Sequence, residues 1–194
     1  MSAAKWDERY RRGELLDRPP SPWLIRGLLL RNAPGSALDV ACGPGRHALH
    51  LARIGWRVTA LDAAPSAIEY LESQAARLRV PIDARVADLE THPALIQAGA
   101  FDLVADFFYL QRDLFPYMTA ALTPGGLLVA EIPMVDDRPG VPPMNPSFLL
   151  QAGELPGLLA GLDLIDYQEF ESDDQSASGR QRKVARAVAR KLGQ

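Results

Sequence analysis

The stretch LDVACGPGR, residues 38–46, decides the fold, because it joins an apolar segment to a glycine-rich turn and then to a helical pattern. Residues 37–41 are typical of a buried strand, and the apolar residues after the turn recur at helical spacing as far as Gly55. Gly43 and Gly45 lack a Cβ, so the turn can adopt strained conformations and a ligand can approach its backbone closely. The stretch therefore predicts a strand, a ligand-binding turn and a helix.

The chain beyond this unit repeats the alternation of strand and helix. Strands are predicted at residues 57–62, 83–89, 101–107 and 127–132, and helices at about 65–79 and at 112–122. Strands that alternate with helices of ten or more residues favour a parallel sheet covered on both faces. The fold class predicted is therefore α/β, with a Rossmann-like doubly wound sheet.

The last third of the chain has a different texture. Residues 133–147 hold five of the chain's sixteen prolines, which indicates a stiff loop of the length at which functional lids are common. Residues 163–170 and 182–192 are interpreted as an antiparallel hairpin, separated by the polar residues 172–179. Residues 182–192 also suit a short basic helix, so strand and helix both stay open there.

Composition limits the function classes. The chain has 194 residues, 47% of them hydrophobic and 23% charged, and a net charge of −3, which predicts one globular domain without general attraction to nucleic acid or anionic membranes. We expect a cytoplasmic protein, because no apolar leader or membrane-length segment is present in the sequence. The single cysteine, Cys42, and three scattered histidines give no metal-ligand spacing, so no metal is expected.

The end of the second predicted strand supplies the most informative side chain. Ligands of open parallel sheets bind at the carboxyl ends of the strands, and Gly43 and Asp62 both lie there. Asp62 follows Gly43 by about 20 residues, the position at which a carboxylate accepts hydrogen bonds from ribose hydroxyls. The helix that starts near Arg46 favours anionic ligand groups. Because Gly43, Gly45 and Ala48 also satisfy the dinucleotide pattern G-x-G-x-x-A, a nicotinamide cofactor stays open.

The ordered motifs of residues 35–132 resemble those of class I S-adenosylmethionine (SAM)-dependent methyltransferases. They are LDVACGPGR at 38–46, ALD at 60–62, ADL at 87–89, FDLVADFFYL at 101–110 and LTPGGLLVAEI at 122–132. WDERY at 6–10 and NPSFLLQAGEL at 145–155 resemble a small-molecule branch that includes tellurite-resistance-type and related thiol or chalcogen methyltransferases.

The resemblance implies a specific fold and domain organisation. It implies a seven-stranded sheet of order 3-2-1-4-5-7-6 whose last strand is antiparallel. Residues 1–194 would then form a single methyltransferase domain, with residues 1–31 as an N-terminal helical cap and residues 133–150 as a lid loop.

The resemblance also implies roles for individual residues. The glycine turn would lie beside the methionine part of SAM, Asp62 would bind the ribose, and Asp88 with the backbone of Leu89 would meet the adenine. The predicted cofactor-binding residues are Trp6, Asp39, Ala41, Gly43, Gly45, Asp62, Ala63, Asp88, Leu89 and Asp106, and the predicted catalytic residues are Asp106, Tyr109 and Tyr10.

Asp39 has a competing interpretation, and two residues near the turn, His47 and Cys42, are expected to have no role at the site. Asp39 could instead only brace the turn through backbone N–H groups. His47 is expected to be a solvated or capping residue, and Cys42 a small apolar filler.

The predicted activity is methyl transfer from SAM to a small-molecule acceptor, with S-adenosylhomocysteine (SAH) as product and a thiol or chalcogen oxyanion as candidate acceptor. No general base is evident, and DFFY at 106–109 lacks the two prolines of the nucleic-acid amino methyltransferases. We expect no nucleic-acid or membrane partner, and a monomer or homodimer. The alternatives are an NAD(P)-dependent oxidoreductase and a SAM-binding regulator without catalysis.

Overall fold

The computed structural model describes residues 2–141, 143–171 and 182–193, and its strands form one seven-stranded sheet of order β3-β2-β1-β4-β5-β7-β6. The strands are β1 Ser36–Val40, β2 Arg57–Asp62, β3 Ile82–Val86, β4 Phe101–Phe107, β5 Leu122–Pro133, β6 Asp163–Glu171 and β7 Lys183–Arg190. Strands β1 to β5 are parallel, and β7 is antiparallel to both β5 and β6. The predicted fold class and strand order are confirmed.

Six helices lie among the described residues. They are α1 Ala3–Arg11, α2 Pro22–Leu28, α3 Arg46–Arg53, α4 Pro65–Leu78, α5 Phe115–Ala121 and α6 Glu154–Leu158. The helix predicted at 112–122 is divided, since a 3₁₀ turn at Arg112–Leu114 precedes α5. This division places Pro116 in the first turn of α5, where its missing N–H costs no helical hydrogen bond.

Two predicted strand boundaries are wrong, and one open alternative is settled. Strand β3 ends at Val86, because the Asp88 side chain accepts the Glu90 N–H at 3.0 Å and turns the chain. Strand β5 begins five residues early, at Leu122, which pairs with Phe101. Residues 183–190 form a strand, not a helix, between β5 and β6. The polar residues 172–179, predicted to separate the hairpin strands, lie outside the described residues.

Buried apolar side chains form one cluster on each face of the sheet. Successive strand residues point to opposite faces, so β1 contributes Leu38 and Val40 to one cluster and Ala37 to the other. Helices α5 and α6 cover the first cluster, while α2, α3 and α4 cover the second. Burial on both faces explains the almost continuous apolar runs of the central strands.

Helix α2 is attached to the sheet by a buried polar cluster. The Ser21 hydroxyl accepts the Trp23 N–H at 3.2 Å, which caps the helix, and donates to Glu131 Oε2 at 2.8 Å. Glu131 also pairs with Arg186 Nε at 3.2 Å, and Trp23 Nε1 donates to the Ala187 carbonyl at 3.1 Å. The buried carboxylate of Glu131 is thus compensated by two partners from different elements.

Candidate active site

A cavity of about 440 Å³ opens at the carboxyl ends of β1, β2 and β4. All of the predicted site residues except Gly45 and Asp106 line it, namely Trp6, Tyr10, Asp39, Ala41, Gly43, Asp62, Ala63, Asp88, Leu89 and Tyr109. Parallel strands end at the same edge of the sheet, which is why motifs far apart in sequence converge here.

The glycine turn and Asp62 form one hydrogen-bonded unit. The Gly43 N–H donates to Asp62 Oδ2 at 2.7 Å, and the Ala64 N–H donates to Oδ1 at 2.8 Å. Burial raises the pKa of Asp62, and these N–H donors oppose the increase. Each carboxylate oxygen has two acceptor positions, so both retain capacity toward the cavity that Asp62 lines.

Gly43 occupies a position that leaves little space for a side chain. Its φ is 53°, and a Cβ there would lie 2.9 Å from the hydroxyl oxygen of Tyr10. A side chain at this position would therefore fill space between the turn and α1. The turn is consequently a bare-backbone wall of the cavity.

Gly45 does not reach the cavity wall. It precedes α3 with φ of 85°, and a Cβ there would overlap Leu71 Cδ1 on α4. The described contacts thus give Gly45 a packing role between two helices. The sequence predicted Gly45 as a cofactor-binding residue. In the structure its Cα lies against α4 and not against the cavity.

Asp106 is also absent from the cavity lining. Its neighbour Phe107 lines the cavity, and successive strand residues point to opposite faces of the sheet, so Asp106 points into the core. The side chain is completely buried, and neither carboxylate oxygen has a hydrogen-bond partner among the described residues. Burial, with a smaller contribution from the charge of Asp39, raises the pKa of Asp106 well above the usual range. Burial therefore favours the neutral form of Asp106.

Asp39 braces the backbone after the turn and also lies at the cavity wall. Its Oδ2 accepts the Ala48 N–H at 3.0 Å, which braces the start of α3, and the residue also lines the cavity. Burial raises the pKa of Asp39 to about 7, against the lowering effect of the Ala48 N–H. A charged ligand group bound near Asp39 would therefore change the fraction of Asp39 that is protonated at neutral pH.

His47 is neither solvated nor a helix cap, so that expectation is wrong. The side chain is 3% exposed, lines the cavity, and packs on Phe107 with 4.1 Å between ring centroids. Burial and then the charge of Arg46 lower the pKa of His47 well below its usual value. The imidazole is therefore neutral. Cys42 lies in the core beneath the turn, and burial raises the pKa of its thiol.

Aromatic side chains close two sides of the cavity. Trp6 and Tyr10 on α1 stack with 5.7 Å between ring centroids, and Phe107 with Tyr109 lines the wall at the end of β4. Burial is the main cause that raises the pKa of Tyr10 and of Tyr109. Both phenols are protonated at neutral pH and serve as hydrogen-bond donors rather than as bases.

Gln111, which the sequence did not single out, connects two walls. The Tyr109 hydroxyl donates to Gln111 Oε1 at 2.6 Å, and Gln111 Nε2 donates to the Leu89 carbonyl at 3.1 Å. Asp88 and Leu89 form the opposite wall, where Asp88 is exposed and Leu89 is buried. Gln111 thus fixes the position of Tyr109 relative to the predicted adenine-binding loop.

Backbone strain is concentrated at the cavity. Four described non-glycine residues have positive φ, and three of them, Leu15, Ala41 and Phe108, line the cavity. Such conformations cost energy and persist where surrounding contacts impose them. The Phe108 N–H, for example, donates to the Glu131 carbonyl at 2.7 Å. Clustered strain of this kind is typical of functional sites.

Helix α1 closes the cavity through a contact with α4. The Asp7 carboxylate accepts the Ser66 N–H at 2.8 Å and the Ser66 hydroxyl at 2.7 Å, and it also pairs with Arg11. The Ser66 hydrogen bonds are the largest cause that lowers the pKa of Asp7. An ionised side chain of α1 therefore caps α4 just beyond Asp62.

Two kinds of site are missing from the part of the chain that the structure describes. It contains no group of three or more His, Cys, Asp or Glu side chains that could hold a metal ion. Within the same residues, no helix has the length and apolar character that crossing a bilayer requires.

Known proteins resemble this chain in sequence. Residues 37–126 match a family model described as a methyltransferase domain. Hemagglutinin 1 of Eikenella corrodens is 29% identical over 178 residues, which cover 87% of this chain and 59% of that protein. A ubiquinone biosynthesis O-methyltransferase of Methylobacterium nodulans is 37% identical over 101 residues, which cover 49% of this chain and 39% of the enzyme. The chain thus spans less than two thirds of the length of either relative.

A solved structure resembles the chain in fold. TehB from Haemophilus influenzae superposes with a TM-score of 0.76 at 22% identity, over 95% of this chain and 67% of that one. The superposed part of the chain therefore extends beyond residues 37–126, which match the methyltransferase-domain model.

Proposed function

We propose that this chain is a class I SAM-dependent methyltransferase that transfers a methyl group to a small-molecule acceptor, a proposal that the methyltransferase-domain match of residues 37–126 and the fold support. The observation that carries the proposal is the bonding of the glycine turn to Asp62 at the wall of the cavity. The turn provides bare backbone, and the carboxylate provides an ordered acceptor beside it. A ligand that joins a ribose to an amino acid requires both.

The cavity residues fit SAM. Asp62 retains acceptor capacity for two ribose hydroxyls, the Asp88 and Leu89 wall suits the adenine, and Gly43 leaves space for the methionine part. When bound, SAM supplies an electrophilic methyl group on a sulfonium cation. The rings of Phe107, Tyr109 and Tyr10 present π-faces and phenol dipoles that stabilise such a cation without attacking it. The chain's main contribution to rate is then positioning.

A thiol or chalcogen oxyanion is the acceptor class that we favour. Tyr10 and Tyr109 are protonated at neutral pH, because their pKa values are raised, so neither of these lining phenols can remove a proton from an acceptor. Among the lining groups, Asp39 and the neutral His47 could accept one. A thiolate or a chalcogen oxyanion is already anionic and needs no base. Asp106 is completely buried, so its predicted roles in cofactor binding and catalysis would require it to become accessible in the complex.

An acceptor screen with methyl-labelled SAM tests the proposal. We expect label in the products of small alkyl thiols, selenite or tellurite, and none in the products of phenols, primary amines or nucleobases. The Asp62→Ala variant should lose most of this turnover. Label found mainly in phenol or amine products would contradict the acceptor class. SAM binding without turnover would favour a regulator, and NADPH binding in place of SAM would favour an oxidoreductase.

A further inference from the structure

One arginine outside the cavity lining holds part of the cavity wall. Arg112 directly follows Gln111 in the chain, and its guanidinium faces the segment 143–150, which we name the lid segment. Nη1 donates to the Ser147 carbonyl at 3.1 Å, and Nη2 donates to the Leu149 carbonyl at 3.0 Å. These two carbonyls flank Phe148, which lines the cavity. Arg112 thus holds the backbone on both sides of Phe148.

The same guanidinium forms a two-pronged ion pair with α6. Nε donates to Glu154 Oε1 at 2.5 Å, and Nη2 donates to Oε2 at 3.0 Å. Glu154 is itself oriented, because its Oε2 accepts the Gln151 N–H at 2.8 Å. The planar fork of arginine makes this pairing, which the ammonium group of lysine cannot reproduce. Arg112 is therefore held in one orientation while it bonds the two carbonyls.

The rest of the lid segment is attached differently. At its base, the Leu150 N–H donates to the Pro133 carbonyl at 2.9 Å, the Val135 N–H donates to the Leu150 carbonyl at 3.0 Å, and Leu150 is completely buried. Residues 143–147 are exposed, and Phe148 is half-buried. The base of the lid segment is thus fixed to the sheet by its own backbone hydrogen bonds. The part over the cavity is connected to the rest of the fold by the hydrogen bonds of Arg112 to the Ser147 and Leu149 carbonyls.

We propose that Arg112 is a positioning residue that keeps Met144 and Phe148 closed over the cavity and so limits how fast ligands enter and leave. The Arg112 contacts are made with the lid segment and with α6, and Arg112 does not line the cavity. A contact that is equal in free and bound protein leaves the equilibrium affinity unchanged, but it must break each time the wall moves. Removing it therefore speeds entry and release together. This inference rests on the proposed function, because its probe is SAH.

Stopped-flow fluorescence with SAH tests the inference, since Trp6 lines the cavity and reports binding. For Arg112→Ala we expect association and dissociation rate constants both to rise at least about fivefold, with Kd changed less than about twofold. Arg112→Lys should behave like Arg112→Ala, because lysine lacks the fork. Arg85→Ala is the matched control. Arg85 forms an exposed fork to Asp83 with bonds of 2.8 and 2.5 Å and does not line the cavity. The rate constants of Arg85→Ala should equal those of the wild type.

The other possible outcomes contradict either this inference or the proposed function. Unchanged rates in Arg112→Ala overturn the inference, and so does a weaker Kd with faster dissociation alone, which would mean that the wall only binds ligand. If Arg112→Ala does not fold, Glu154→Gln must speed both rates, because it weakens the fork that holds the Arg112 guanidinium toward the two carbonyls. A wild-type protein that does not bind SAH overturns the proposed function as well, whereas one that binds SAH with rates insensitive to these variants overturns the inference alone.

Discussion

Replacing Gly45 with alanine should destabilise the fold by about 2–5 kcal/mol, from two separable causes. The φ of Gly45 is 85°, a conformation that costs a residue with a Cβ roughly 1–2 kcal/mol. The new Cβ would also overlap Leu71 Cδ1. Because Leu71 is completely buried, the core would have to shift, which adds about 1–3 kcal/mol.

Gly153→Ala is the matched control. Gly153 also precedes a helix with positive φ, at 72°, but a Cβ there would meet nothing within 4 Å. It should lose only the conformational part, roughly 1–2 kcal/mol. The difference between the two variants therefore measures the overlap with Leu71.

Urea unfolding followed by circular dichroism gives the free energy of unfolding for both variants. The cost of Gly45→Ala should also shrink in a Leu71→Ala background, because the overlapping atom is gone and the two changes are then non-additive. If Gly45→Ala costs no more than Gly153→Ala, or if its cost is the same in both backgrounds, the packing role assigned to Gly45 is refuted.

Two further predictions concern buried polar groups. The pKa of Asp39 is about 7 in the folded protein and about 4 in the unfolded chain. Between pH values of about 4 and 7, the folded protein therefore keeps a proton on Asp39 that the unfolded chain has released. The contribution of Asp39 to stability should consequently fall by roughly 2–3 kcal/mol as pH rises from 5 to 8. Urea unfolding of Asp39→Asn should therefore show a loss over this range that is smaller by that amount, and an equal loss in the variant would contradict the shift. Ser21→Ala removes both the cap of α2 and a donor to buried Glu131, and it should cost about 1–3 kcal/mol in thermal unfolding. The exposed cap Asn145→Ala is its control, and equal losses in the two variants would argue against a special role for the buried cluster.

Much of the sheet could be predicted because central strands are buried on both faces and therefore read as apolar runs. The ends of strands were less predictable. Val86 ends β3 because of a side-chain turn at Asp88, a choice made by local hydrogen bonding and not by apolar pattern. Residues 183–190 suited strand or helix equally, and their partners β5 and β6, distant in sequence, decide for the strand.

The site was predictable where position along a strand determines position in space. Asp39 is the penultimate residue of β1 and Asp62 the last residue of β2, and carboxyl ends of parallel strands meet at one edge of the sheet. The sequence does not fix which way a side chain points, and the cavity lining for this reason lacks Gly45 and Asp106. Gln111 gave no signal at all, because its role depends on contacts that only the folded loops create.

Calorimetric titration of SAH into the wild type and Asp62→Ala tests the central claim most directly, namely that the carboxylate beside the glycine turn binds a ribose. The wild type should bind one SAH per chain, and Asp62→Ala should bind it more weakly by about 1–3 kcal/mol, the scale for leaving buried polar groups unpaired. The exposed carboxylate variant Asp83→Ala should bind like the wild type. Equal affinity of Asp62→Ala and the wild type, or binding of NADH in place of SAH, would contradict the claim.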